Sequence, residues 1–192
     1  QVYKEIKILS ARPDKNVSKH HLYGFVSVKE NFSVGKWHKL AAKKIKEINK
    51  KGKVALVVGG TGLYFRALIE GLVDMPEVPK ANFIPKESAE KWKMLNDYKK
   101  KYRKVFQGIN LNDNQRINRA ISVYETTGMT LNDWQKKENK KYFKKNDFIK
   151  ICLIPSKFSV EENIKKRFES MIKKGAIDEV IKYKKLKLDF YS

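Results

Sequence analysis

The chain has 192 residues, enough for one domain or for one domain carrying an inserted piece, and at 41% hydrophobic it can bury a core. Its 43 Lys and Arg against 21 Asp and Glu leave a net charge of +22, which favours a polyanionic partner, although so Lys-rich a surface also fits compositional drift. No apolar stretch approaches a membrane span and no signal peptide is visible, so a cytoplasmic protein without a membrane partner is expected.

Val2–Leu9 reads as a short strand or extended segment closed by the Arg12-Pro13-Asp14 turn. His20-His21-Leu22 leads into a loop or short strand to Val28. No acidic or Cys ligand set stands at metal spacing near the two histidines, so they read as a structural pair, and no metal ligand is assigned in the chain. Ser33 is the expected N-cap of a helix with Val34, Trp37, Leu40, Ala41, Ile45 and Ile48 on its apolar face, ended by Gly52.

Val54–Val58 is apolar throughout and rich in β-branched residues, the pattern of a strand buried on both faces in a parallel sheet. It runs into Gly59-Gly60-Thr61-Gly62, and a helix begins at Leu63. Strand, glycine loop and helix set bare backbone N–H groups and a helix N-terminus against an anion. Thr61 adds the loop's one hydroxyl; without other information it reads as the cap of the following helix. Arg66 lies on that helix, equally suited to an anion and to solvent.

After Pro76 the character changes. Pro76, Pro79 and Pro85 punctuate an aperiodic stretch; then Trp92, Leu95, Tyr98 and Tyr102 recur at helical spacing. A helix from about Asn114 to Thr127 carries Ile117, Ala120, Ile121 and Tyr124 on one face, with Asp113 as N-cap and Gly128 as its C′ residue. Thr130 can cap a short helix bearing Leu131 and Trp134. Residues 77–145 therefore read as a basic helical insertion between two parts of an α/β body, 1–76 and 146–192. Phe148–Ile154 returns to strand character and holds the only cysteine, Cys152, expected in the core. Ser159 with Glu162 forms a capping box for a helix carrying Ile164, Phe168, Met171 and Ile172, and a last helix holds Ile177, Val180 and Ile181. The three tryptophans sit at apolar helical positions and read as packing residues. The lysine runs read mostly as solvated faces.

Several pieces in this order resemble the tRNA dimethylallyltransferase family, also called tRNA isopentenyltransferase. They are Gln1-Val2-Tyr3, Ser10-Ala11-Arg12-Pro13, His20-His21-Leu22, Phe32-Ser33-Val34, Val58-Gly59-Gly60-Thr61-Gly62-Leu63-Tyr64, Asn112–Ala120, Val123-Tyr124-Glu125, Thr127-Gly128 and Arg167-Phe168. The resemblance runs from Gln1 to about Lys185. It implies a P-loop-NTPase-like parallel sheet core with a helical insertion that grips the anticodon stem-loop. It also implies transfer of a dimethylallyl group from dimethylallyl diphosphate to N6 of the adenosine 3′ of the anticodon. RNA rather than DNA is then the expected partner, with Mg²⁺ as cofactor.

The resemblance also assigns residues. It places Gln1, Thr61 and the Asp113–Arg119 segment (Asp113, Gln115, Arg116, Ile117 and Arg119) against the tRNA, and Gly60, Thr61 and Arg66 near the diphosphate. Gln can bond an adenine edge in two places, and Arg can grip a phosphate. The arginines also fit a plain solvated helix face, and Gln1 a disordered terminus.

The family's phosphate loop, its Mg²⁺ ligand region and its general-base Asp would lie before Gln1, so no catalytic residue is assigned within the chain. Both ends are expected to be incomplete, with aggregation through an exposed sheet edge and a complementing N-terminal chain as the route to activity. Phe83 stands where the family usually has an Arg, with Lys80 and Lys86 nearby but lacking its planar fork. Two alternatives stand beside an incomplete enzyme. One is a non-catalytic basic RNA-binding remnant; the other is a P-loop kinase relative, against which the Asp113–Arg119 segment argues.

Overall fold

A computed structural model describes residues 1–13, 19–60, 62–79, 90–110 and 112–184, with the backbone alone at 90–92, 95 and 99. Thr61, Lys80, Phe83 and Lys86 lie outside the described residues, and nothing structural bears on the side chains of Trp92 and Leu95. The chain divides into two compact units, one formed by 1–70 with 141–192 and the other by 71–140. These boundaries fall a few residues before the expected Pro76 and Lys145. The neck of the second unit is an antiparallel bridge in which Leu72 and Lys140 exchange two backbone hydrogen bonds, of 3.3 and 2.9 Å.

The first unit is built on α1 (Val34–Asn49) and α2 (Gly62–Glu70). Ser33 caps α1, its side chain accepting from the Lys36 N–H at 3.2 Å. Trp37 stacks on Tyr64 at 4.3 Å between ring centres and 11° between planes, and this pair holds the two helices together. Around it Trp37, Ala41 and Leu68 form a buried core, against which Val2, Leu22, Phe32, Val57, Phe143 and Phe148 pack. The N-terminal segment is laid against residues 24–28 by a parallel bridge between Tyr3 and Val26.

The expected parallel sheet is not formed among the described residues, where the two isolated bridges are the only β pairing. In the Val54–Val58 run, Val57 packs inward while Val54, Leu56 and Val58 are 93, 81 and 71% exposed. The run is therefore covered on one face, not two. Ile149, Ile151, Leu153 and Ile154 are exposed as well, and so is Cys152, which corrects its expected place in the core. The physical reason is common to both runs: a strand gains its hydrogen bonds and its apolar cover from neighbouring strands, and none pairs with them here.

Two helices follow, α6 (Lys157–Lys173) and α7 (Ala176–Lys184). The cap of α6 is Ser156, whose hydroxyl accepts from the Ser159 N–H at 3.2 Å, so the helix starts before the expected Ser159–Glu162 box. Phe158, Ile164, Phe168 and Ile172 on α6, and Ile177, Val180 and Ile181 on α7, are exposed.

The second unit contains α3 (Glu90–Lys101), α4 (Asn114–Thr127) and α5 (Leu131–Gln135). Ile117, Ala120 and Ile121 of α4 meet Val105 and Phe106 in its core, with Met94, Tyr98, Tyr102 and Tyr124 around them. Gly128 ends α4 at φ +69°, a left-handed conformation open to glycine at little cost. Thr130 and Asp133 cap α5 reciprocally, and buried Trp134 donates its indole N–H to Thr127 Oγ1 at 3.0 Å.

Candidate functional site

In the second unit, the residues of interest lie on the first turns of α4. The Asp113 carboxylate accepts from the Arg116 backbone N–H at 3.0 Å and pairs with the Arg116 side chain at 3.2 Å. One carboxylate thus satisfies a helix-end donor and holds a guanidinium in place. Arg116 is 75% exposed, so the tether leaves its outer N–H groups to solvent. Gln115 is also exposed, and its amide carries both a donor and an acceptor. Arg119, exposed one turn on, touches Met75 Sδ at 3.4 Å. Ile117 differs from its neighbours: it is fully buried in the core of the unit. Its side chain has nothing to present to a nucleic acid, which corrects its place among the contact residues. The period of α4 dictates this, since 117, 120, 121 and 124 share one face while 115, 116 and 119 point away from it.

In the first unit, Gly60 sits exposed at the bend before α2, and a Cβ built there would meet nothing within 4 Å. Its backbone is thus open to a ligand. Thr61 lies outside the described residues. Arg66 is held at 2.6 Å by Glu70, one helical turn on, and this pairing raises its pKa further. The pairing is made through Nε, and with the side chain 74% exposed the outer N–H groups of Arg66 stay open to solvent, as those of Arg116 do. The i,i+4 spacing of Arg66 and Glu70 was the signal for the pairing in the sequence. Gln1 donates its side-chain amide to Ser10 O at 2.9 Å and Ala11 O at 3.2 Å. His20 packs edge-on to Tyr23, and the described residues contain no group of three or more His, Cys, Asp or Glu able to hold a metal ion.

Sequence reasoning missed a carboxylate that organises the segment carrying the Ser10–Pro13 motif. Glu179 of α7 receives the backbone N–H groups of Lys7, Ile8 and Leu9 at 2.7–3.1 Å. Burial would raise its pKa, but the donation from Leu9, Ile8 and Lys7, with the charge of Arg12, more than offsets this and holds it below the ordinary glutamate value. No sequence signal pairs residues so far apart.

The sequence model described as IPP transferase matches residues 1–189. The chain belongs to this family. It is 42% identical to the tRNA dimethylallyltransferase of Pelagibacter ubique, over 98% of this chain and 62% of that one. It is 39% identical to that of Bartonella henselae, over 98% of this chain and 67% of the relative. Among solved structures, the tRNA isopentenylpyrophosphate transferase of Bacillus halodurans aligns with a TM-score of 0.55 at 25% identity, over 99% of this chain and 60% of that one. A eukaryotic dimethylallyltransferase acting on tRNA aligns with a TM-score of 0.67 at 20% identity, over 98% of this chain and 49% of the other. The chain thus spans about three-fifths of the length of such relatives, and its backbone follows theirs although few of its residues pair as strands. No described helix is long and apolar enough to cross a membrane.

Proposed function

We propose that this IPP transferase family chain takes part in tRNA modification, transferring a dimethylallyl group from dimethylallyl diphosphate to N6 of the adenosine 3′ of the anticodon. The observation that carries the reading is the match, along nearly the whole chain, to relatives named tRNA dimethylallyltransferase. The chemistry asks for an adenine held by its edge, phosphates gripped beside it, and a diphosphate met by donors as it leaves. The exposed Gln115 amide and the tethered Arg116 suit the first two requirements, on the anticodon stem-loop. The open backbone at Gly60 and the N-terminus of α2 suit the third. Thr61, between them in the chain, is kept among the residues that meet the tRNA. Mg²⁺ is the counter-ion expected for the diphosphate, but the described residues offer no ligand cluster for it, and no step is assigned to it here.

The one-sided cover of Val54–Val58 and the bare Ile149–Ile154 run support the further reading that activity needs an additional segment, pairing with these runs and supplying the general base. The deciding assay is prenyl transfer from radiolabelled dimethylallyl diphosphate to an anticodon stem-loop RNA. It is run with the 192-residue chain alone and again with a family N-terminal segment added. Product only after addition supports the reading. Product from the chain alone removes the need for a complementing segment. Salt-sensitive RNA binding without product in either arm favours a non-catalytic RNA-binding role.

A further inference from the structure

A second charged surface lies in the first unit, remote in sequence from α4. Lys39, Lys43, Lys46 and Lys50 fall at i, i+4, i+7 and i+11 of α1 and its C-cap, so they share one stripe of the helix, about 16 Å long. All four are exposed. With Ala42, Glu47 and Tyr142 they line a shallow groove of about 360 Å³. Tyr142 is its aromatic element. Its ring is wedged from below by the edge of buried His38 at 4.8 Å between centres, and Lys46 Nζ stands 5.6 Å from its centre. His38 adds no charge at neutral pH, because burial lowers its pKa. Glu47 is the one acid in the lining. Lys44, outside the groove, hydrogen-bonds it at 2.5 Å and, with the charges of Lys43 and Lys51, holds its pKa below the ordinary glutamate value, so one acid stands among the four stripe lysines. Lys141 and Lys144, within two residues of Tyr142 in the chain, are exposed too.

The stripe costs the helix stability. Lysines at i,i+4 repel each other by a few tenths of a kcal/mol in an isolated helix. A solvated face needs no such alignment, and opposite charges could have been interleaved along it. A row of ammonium groups beside a half-buried tyrosine instead matches a chain of evenly spaced phosphates with bases to stack.

We propose that this face of α1, with Tyr142, is a second RNA-binding surface, one that contacts the phosphodiester backbone without reading its sequence. The choice of RNA among polyanions rests on the reading of the chain as a tRNA-modifying protein; the surface itself does not. Backbone contact of this kind carries affinity and salt dependence and leaves sequence preference to other residues.

The test measures binding of the intact 192-residue chain to a fluorescent anticodon stem-loop RNA across a salt series. K43Q/K46Q should lower the slope of log K against log salt by about 1.4, at roughly 0.7 per lost phosphate contact on single strands. K157Q/K166Q removes the same charge from α6, where both lysines are paired with glutamates, and should leave the slope unchanged. Y142L should weaken binding without changing the slope. Circular dichroism of each variant confirms that the helices are kept. An unchanged slope in K43Q/K46Q, or an equal fall in K157Q/K166Q, overturns the proposal. R116A, measured in the same series, separates it from the reading of α4. Loss of binding in R116A with K43Q/K46Q silent sinks the second surface and spares the proposed function. The reverse pattern upholds the second surface and removes α4 from the interface.

Discussion

Both oxygens of the Glu179 carboxylate reach the backbone N–H of Ile8, at 3.0 and 3.1 Å. Lys7 and Leu9 donate to the same group from either side. Three successive N–H groups form a small anion-binding concavity, and a side chain from α7 fills it. The segment carrying Ser10–Pro13 is thereby fixed to the C-terminal part of the first unit. Gln1 and Arg12 complete the arrangement, the latter donating to Tyr3 O at 3.2 Å.

Replacing Glu179 therefore destabilises the first unit. Glu179→Ala removes every acceptor and should cost about 1–3 kcal/mol, the usual range when charge-assisted bonds are lost. Glu179→Gln keeps one oxygen and should cost less. The folded-state pKa is depressed, so the carboxylate's contribution is complete above its unfolded pKa and fades as pH falls through the folded value. Thermal melts of wild type and Glu179→Gln at neutral pH and in acid check this: the gap between them should close in acid. A gap that persists there would mean that shape, not charge, holds the segment.

Gly24 offers a second test in the same region. It lies at φ +56°, and a Cβ built on it would come within 1.7 Å of Arg12 Nη1. The end of an arginine can swing aside, so the lasting costs of Gly24→Ala are the left-handed backbone and the lost Arg12 bond to Tyr3, together about 1–2 kcal/mol. In Arg12→Ala the clash partner is gone. There Gly24→Ala should cost only the backbone part, about 1 kcal/mol. A double-mutant cycle by chemical denaturation reads the difference, and strict additivity would show that Arg12 does not matter to this turn.

The helices of this chain were far more legible in its sequence than its strands. Ser33, Asp113, Gly128 and Thr130 mark helix ends through bonds within four residues, and local chemistry is what a sequence displays. Ser159 was misread for Ser156 because both can accept an N–H three residues on, and only the packed chain decides between them. The Val54–Val58 and Phe148–Ile154 runs have strand composition, but a strand's burial depends on partners distant in sequence. Exposed Cys152 followed from the same gap. In the candidate site, the helical period separates Ile117 from Gln115, Arg116 and Arg119, so that distinction was present in the sequence. The contact of Glu179 with residues 7–9 was not.

Ile117 and Gln115 should accordingly behave in opposite ways. Ile117→Ala opens a cavity in a fully buried position and should cost about 2–5 kcal/mol, with RNA affinity falling only as the unit unfolds. Gln115→Ala touches an exposed side chain and should shift stability by less than about 0.5 kcal/mol. If Gln115 holds an adenine edge, the substitution weakens stem-loop binding by about 1–3 kcal/mol, and the loss disappears when the target adenosine is replaced by a pyrimidine. Denaturation curves together with binding to the two RNAs separate these effects. An equal loss on both RNAs would place Gln115 on the backbone.

Asp113 carries two duties that one substitution can split. Its carboxylate caps α4 through the Arg116 N–H and also neutralises part of the Arg116 guanidinium. Asparagine caps a helix about as well as aspartate, so Asp113→Asn should keep stability within about 0.5 kcal/mol of wild type, whereas Asp113→Ala should lose about 1 kcal/mol. For an RNA backbone, removing the negative charge helps: Arg116 is released to pair with phosphate, and one anion facing the ligand is gone. Asp113→Asn should therefore bind the stem-loop more tightly than wild type at low salt, with the advantage shrinking as salt screens it. Weaker binding in Asp113→Asn at unchanged stability would give the carboxylate the opposite role. It would then act as the positioner that holds the Arg116 fork in its binding orientation, and the tether rather than the free charge would set affinity.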